Sequence, residues 1–336
     1  MVPMVGNYSS ESRLAFVTGA TGFVGGRLVS LLLADGWRVR ALVRSEQRAN
    51  SLSAKGVQLI QGDLSASVSQ LQNWMEGADV VFHLAALYRF GVWNTASMVE
   101  TNVEGTRRVL QGAREAGVSR LVHCSTIGCY GNSGGAVRNE SHYDADSVAA
   151  LPYTATKRAA HELVQQAAGK GMDAVIVSPS GIFGAGDSSI IGRFVDFAVR
   201  GWLKVGVYKE SRMGFVHVDD VCSGLLAAYE QGKSGRDYIL VARTASLGEV
   251  LTEVAQLAGK SAPWWWLPPW MVRLSVPFSP LVALALGQGP LVLRDSVAML
   301  DGVHLDYDGS RARQELSWQP APFAQRMQET LANWRR

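Results

Sequence analysis

At 336 residues the chain exceeds the usual size of one compact domain, so a main domain with a smaller lobe attached is expected. A formal net charge of +3, with the basic residues scattered, lacks the concentrated positive face that a nucleic acid requires, and no such partner is expected. Three cysteines, Cys124, Cys129 and Cys222, are too few for a disulfide framework, and the polar N-terminal stretch lacks the apolar core of a secretory signal, so a reducing, cytoplasmic setting is expected.

From Leu14 to about Val177, short apolar runs alternate with amphipathic stretches. Strands are predicted at 14–17, 38–43, 57–60, 79–83, 120–123 and 173–177, and helices at 22–33, 98–116 and 153–168. Strands that take turns with crossover helices make a parallel sheet, so the fold class is α/β, a doubly wound (Rossmann) sheet. Beyond Ser178 the pattern is less regular, with helical spacing at 219–230, 247–258 and 322–334. This part reads as a smaller C-terminal lobe, and a cleft between the two parts is the natural ligand site.

Residues Thr18 to Gly25 follow the first strand and open the first helix, with Gly19, Gly22 and Gly25 spaced Gly-x-x-Gly-x-x-Gly. Gly19 permits a tight turn, Gly22 a close backbone approach to a pyrophosphate, and Gly25 close packing of helix on strand. The helix N-terminus then faces the anion, so Gly19, Thr21, Gly22, Phe23, Val24 and Gly25 form a candidate dinucleotide cradle. Residues 1–178 accordingly read as the dinucleotide-binding domain, with 215–240 returning to it, and 179–336 mainly as the substrate lobe. The second strand ends at Arg44 with no acidic residue at its tip, which favours NADP(H), its 2′-phosphate on Arg44, while leaving NAD(H) open. Asp63, after the third strand, either accepts from the adenine amino group or caps a helix.

Tyr153 and Lys157 stand four residues apart, on one face of a helix that Pro152 opens. A phenol with its ordinary pKa of about 10 is a poor base at neutral pH, and a cation beside it is the remedy. Ser125 and Thr126, at the end of the fifth strand, are candidates to hold a substrate oxygen. Tyr88, Phe90 and Trp93 are candidate substrate contacts. The histidines show no metal-ligand spacing, and no metal is expected.

With these features in order, the chain resembles the extended short-chain dehydrogenase/reductase family over nearly its whole length. His83 to Ala86, Thr101 to Thr106 and Phe215 to Val221 carry further matches. The resemblance implies Tyr153 and Lys157 as a catalytic acid/base pair that also touches cofactor. It selects Thr126 as the hydroxyl partner, through alignment of Cys129-Tyr130-Gly131 with the family's Val-Tyr-Gly. It also implies cofactor contacts at Leu64, Ala85, Ala86, Pro179, Gly181 and Ile182, and a substrate contact at Ser180.

Within the family, the ending of the second strand looks like the dihydroflavonol reductase, 3β-hydroxysteroid dehydrogenase and hopanoid-associated groups. These imply an apolar substrate that is sterol- or hopanoid-like, long-chain 3-oxoacyl or polycyclic. The alternative is a nucleotide-sugar epimerase or dehydratase with retained NAD, but the arginine expected on the sugar nucleotide's phosphates is displaced to Arg212. The tryptophan-rich segment 263–270 either anchors in a membrane interface or packs in the lobe or a subunit interface, leaving peripheral membrane contact and a homodimer open. The uncharged stretch 274–293 is broken by Pro277, Pro280 and Pro290 and is not expected to span a membrane.

Overall fold

The computed structural model describes residues 12–88, 95–278 and 292–334. Its first half runs β1 (Leu14–Thr18), α1 (Phe23–Ala34), β2 (Arg38–Val43), β3 (Gln58–Gln61), α2 (Val68–Met75), β4 (Val80–His83), α3 (Gly105–Glu115), β5 (Arg120–Cys124), α4 (Pro152–Gly169) and β6 (Ala174–Pro179). There follow β7 (Gly181–Phe183), α5 (Ile190–Val199), β8 (Val205–Val207), β9 (Arg212–His217), α6 (Val218–Gln231) and β10 (Asp237–Leu240). The last elements used below are β11 (Arg243–Ser246), α7 (Leu247–Leu257), β12 (Trp265–Leu267), α8 (Pro269–Ser275), α9 (Val292–Leu300) and α10 (Phe323–Ala332).

Seven parallel strands form the central sheet in the order β10-β6-β5-β4-β1-β2-β3. Six are the predicted ones, and the seventh, β10, comes from the returning segment. Such strands are legible because helices cover both faces of the sheet, so their runs are largely apolar, with polar residues such as Arg38, Gln58, Gln61 and Arg120 at the strand ends. In β1, Ala15 and Val17 share one core with Leu28 and Val29 of α1 and Val221 and Leu225 of α6. Leu14 and Phe16 point the other way, into a core with Leu71 of α2, Val109 of α3 and Val164 of α4.

Two details depart from the sequence reading. Helix α2 is capped by Ser67, whose hydroxyl accepts from the Gln70 amide, so Asp63 does not cap it. The predicted helix at 98–116 is interrupted: Ala96–Val99 is α-helical, Glu100–Glu104 is a π turn, and α3 follows. The π turn carries Asn102, whose Oδ1 accepts from the Leu87 amide at 2.6 Å and whose Nδ2 donates to Leu87 O at 3.2 Å and Thr156 Oγ1 at 3.1 Å. These bonds tie the segment after β4 to α4, and π turns of this kind concentrate at functional sites.

The smaller sheets β11-β9-β7 and β12-β8 build on a third core that includes Phe183, Phe215, Leu251, Val272 and Phe323. Of the tryptophan-rich segment, Trp266 turns inward, its ring within 2.3 Å of the place a Cβ on Gly206 would occupy. Trp264, Trp265 and Trp270 are exposed. Among the described residues no helix is long and apolar enough to cross a membrane; positions 279–291 of the uncharged stretch lie outside them.

Candidate active site

The glycine turn sits at the C-terminal end of β1, where parallel sheets of this kind bind ligands. Gly19 has φ +75°, open to glycine but strained for other residues, and a Cβ there would stand 2.7 Å from the Ala85 amide nitrogen. The Gly22 amide donates to Gly19 O at 2.9 Å, closing the turn before α1 begins at Phe23. At Gly25 a Cβ would fall 2.1 Å from Gly19 O, so the third glycine is what lets helix and turn touch. Thr21 and Gly22 are exposed at the helix start, with Phe23 and Val24 half-buried behind them. A bare backbone cradle at a helix N-terminus fits a pyrophosphate.

Ala85 and Ala86 run past this turn, Ala85 donating its amide to Thr18 Oγ1 at 3.2 Å. The same hydroxyl meets His83 Nδ1 at 2.8 Å, and His83 Nε2 meets Thr106 Oγ1 at 2.9 Å. Burial, and secondarily the charge of Lys157, pull His83 down to about 3, so it is a neutral strut.

At the tip of β2 the Arg44 side chain is exposed. Asp63 is held below the usual carboxylate range first by the hydroxyl and amide of Ser65, with a smaller contribution from the charge of Arg44. Its carboxylate thus shapes its own turn while facing a cation. Leu64 is buried, its Cβ 2.8 Å from where a Cβ on Gly105 would stand, so its side chain serves the core and only its main chain is left to offer a cofactor.

Lys157 and Tyr153 lie on one face of α4. Lys157 is buried and donates from Nζ to Cys124 O at 2.7 Å, which pins it to the end of β5, and burial lowers its pKa. The Tyr153 phenol is pushed upward, chiefly by burial and then by Tyr88, Cys124 and Cys129. What results is a firmly protonated phenol. Tyr88 packs edge-on against it with ring centroids 4.7 Å apart, its own side chain partly open to solvent.

Strand alternation separates the two hydroxyls that sequence left open. Ser125 is buried, its Oγ 3.1 Å from His161 Nδ1. Thr126 is half-buried and its Oγ1 accepts from the Gly128 amide at 3.3 Å, leaving its own O–H free in direction to donate. A Cβ on Gly128 would stand 3.0 Å from Thr154 Cγ2 and 3.7 Å from Thr126 Oγ1, so the threonine hydroxyl lies beside the first turn of α4. Thr126, Tyr153 and Lys157 therefore gather at one strand end.

Pro179 ends β6 and is buried, while Gly181 and Ile182 open β7 half-buried. Between them, the Ser180 Oγ is buried without a hydrogen-bond partner among the described residues. Trp93 and Phe90 lie outside the described residues.

A buried polar network that the motifs do not announce lies beneath this site. His161, on the same face of α4 as Tyr153 and Lys157, has Nε2 3.2 Å from Asp237 Oδ2. The carboxylate also accepts from Ser178 Oγ at 3.0 Å and from the Tyr130 hydroxyl. Burial disfavours the imidazolium, but Asp237 and then Cys129 outweigh it and push His161 up to about 10. The continued helical spacing of His161 was the available signal; its partner comes from a distant strand.

Comparisons with known proteins agree with this architecture. The NAD dependent epimerase/dehydratase family matches residues 15–240. The chain is 38% identical over 229 residues to the 4-hydroxy-2-methyl-3-oxo-4-farnesyl-3,4-dihydroquinoline-1-oxide ketoreductase of Stigmatella aurantiaca, covering 67% of each chain. It is 30% identical over 319 residues to sterol demethylase protein B of Methylococcus capsulatus, covering 90% of this chain and 93% of that protein. The crystal structure of gox2253 superposes with a TM-score of 0.80 at 31% identity, over 96% of this chain and 98% of that one. With its seven-stranded parallel sheet and its glycine turn in place, the chain belongs to the NAD dependent epimerase/dehydratase family, the extended short-chain dehydrogenases/reductases.

Proposed function

We propose that the protein interconverts a ketone and a secondary alcohol on a largely apolar substrate, preferring NADP(H) and accepting NAD(H). The dinucleotide would lie on the 1–178 part and the substrate on the 179–336 lobe. The observation that carries the apolar reading is a cavity in the small lobe walled by Ile190, Phe194, Val250, Leu251, Met299 and Leu300. Ile191 and Met213 also line it, and they stand 2.9 and 3.1 Å from where a Cβ on Gly181 would lie, so the cavity backs onto the strand that follows the cofactor edge. The two named relatives, one acting on a farnesylated quinoline ketone and one named for sterol demethylation, support substrates of this kind. Sterol- or hopanoid-like, long-chain 3-oxoacyl and polycyclic ketones all suit such walls.

A nucleotide-sugar substrate has less support. Arg212, which also lines the cavity, is paired through Nε with the buried Asp306 at 2.9 Å. That carboxylate already offsets its charge.

The nicotinamide cofactor supplies or takes the hydride. Around it, Thr126 donates to the carbonyl oxygen and Tyr153 delivers its proton as that oxygen gains charge. The phenol carries its proton in the neutral range, so the proton is there for reduction, and the Lys157 ammonium on the same helix face would ease its release as the oxygen gains charge. Lys157, anchored to Cys124 O, presents its ammonium to the cofactor side of the site. Tyr88 covers the phenol and limits access of water.

The test is to identify by mass spectrometry any nucleotide released on denaturation, then assay NADPH and NADH oxidation with a steroid ketone, a long-chain 3-oxoacyl thioester and a UDP-sugar. Turnover of an apolar ketone by protein that exchanges its cofactor supports the reading. Tightly retained NAD with activity on the UDP-sugar alone would overturn it.

A further inference from the structure

Exposed aromatic surface is concentrated in one part of the small lobe. Trp202, Trp264, Trp265 and Trp270 are 64%, 76%, 47% and 58% exposed, whereas Trp37 and Trp318 are 4% and 2% exposed. Trp318 donates its indole N–H to Asp220 O at 2.8 Å, as a buried tryptophan should. The exposed four are spatially linked. The Trp264 amide donates to Lys204 O at 3.2 Å, the Lys204 amide to Trp202 O at 2.8 Å, and Val205 pairs in register with Trp265. Trp264 and Trp265 stack with ring centroids 6.4 Å apart. Helix α8 continues from β12 and turns Val272 into the core, leaving Trp270 and Leu274 outside.

Near these rings Arg273 is ion-paired with Asp301, and Arg200, whose guanidinium lies over the Trp202 ring, with Asp196, so the charge left over is that of lysines. Between Glu253 and Asp295 the sequence contains no acidic residue, while Lys260 and Arg273 lie within that span. The Lys260 stem reaches over Gly201, its Cδ 3.5 Å from where a Cβ there would stand, which places it beside Trp202. Neither Lys204 nor Lys260 has a carboxylate in ion-pair range among the described residues, whereas Arg273 is paired with Asp301.

We propose that this face docks on the surface of an anionic lipid bilayer. Indole rings favour the water–hydrocarbon boundary, where the apolar ring and the polar N–H are both accommodated. Lysines without protein partners beside those rings complement anionic headgroups, and their charge would have no counterpart on an uncharged surface. A short strand pair and helix α8, held from behind by Trp266 and Val272, present the rings without unfolding. The docking rests on this surface alone and not on the redox reading.

The experiment is flotation of the full chain, without cofactor or substrate, on vesicles of phosphatidylcholine and of phosphatidylcholine mixed with phosphatidylglycerol. Binding is expected on the mixed vesicles and much less on the neutral ones. Lys204→Glu and Lys260→Glu should each weaken it by about fivefold or more. Trp264→Ser/Trp265→Ser should abolish it with the thermal melting curve unchanged. Bromine-labelled lipids should quench the tryptophan fluorescence of the wild-type protein, a readout that needs no variant. Absence of binding to mixed vesicles, or binding that survives the double tryptophan change, overturns the proposal. So does a wild-type dimer that ignores vesicles and becomes a monomer in the double variant, since a second copy would then be the occupant.

Discussion

His161 and Asp237 face each other at 3.2 Å with both side chains sealed from solvent, one on the catalytic helix and the other on the edge strand of the sheet. The carboxylate holds the protonated imidazole as a buried ion pair. Because His161 is raised from the ordinary 6.5 to about 10, folding binds a proton that the unfolded chain releases above 6.5. The stabilisation is therefore complete below about pH 6.5 and fades as pH rises toward 10. Urea unfolding from pH 6 to 10 should show this decline in the wild type and a flatter profile in Asp237→Asn. The variant should also lose about 3–5 kcal/mol near neutrality, as expected when a buried charge loses its partner. An identical pH slope in the two proteins would remove His161 from the account.

Tyr153→Phe keeps the ring against Tyr88 and removes only the hydroxyl that carries the proton. Loss of a positioned acid costs about 10²–10⁴ in kcat. Binding of reduced cofactor, followed by its fluorescence, should stay within about threefold, a change below ~1 kcal/mol. Turnover near the wild-type rate would mean another group delivers the proton.

Gly25→Ala places a methyl 2.1 Å from Gly19 O, which forces α1 away from the turn. Cofactor binding should drop by at least about tenfold, or 1.4 kcal/mol. Gly36→Ala is the control: its φ is +78°, so it carries backbone strain of about 1 kcal/mol, but nothing lies within 4 Å of the added Cβ. Equal loss of cofactor in both variants would show that the effect is general destabilisation.

Arg44→Ala should weaken NADPH much more than NADH, because only the former offers a 2′-phosphate to the exposed guanidinium at the end of β2. Titration of both cofactors against wild type and variant measures the ratio. Equal losses would return Arg44 to the solvated surface.

Much of this was legible in the sequence because burial on both faces leaves the middle of a strand little freedom of composition. The glycine turn and the Tyr153–Lys157 spacing were likewise local patterns that one helix or one turn can express. Ser125 and Thr126 were not separable by type, since only strand direction decides which hydroxyl enters the core. The π turn at Asn102 has no residue pattern of its own; it follows from bonds to Leu87 and Thr156. His161 and Asp237 were hidden for a third reason, that sheet order, and not chain proximity, makes them neighbours. Trp265 and Trp266, neighbours in β12, divide between solvent and the small lobe because successive side chains of a strand point oppositely.

Strand β10 carries a consequence for how the protein is made. As the chain leaves the ribosome, every strand through β6 is available before Asp237 has been synthesised, yet β6 then ends in an open edge and His161 has no counter-charge. An open parallel edge invites pairing with other chains. The nascent protein must hold that edge unpaired while β7 to β9 and α6 are added, and its slowest folding event should be the long-range docking of β10.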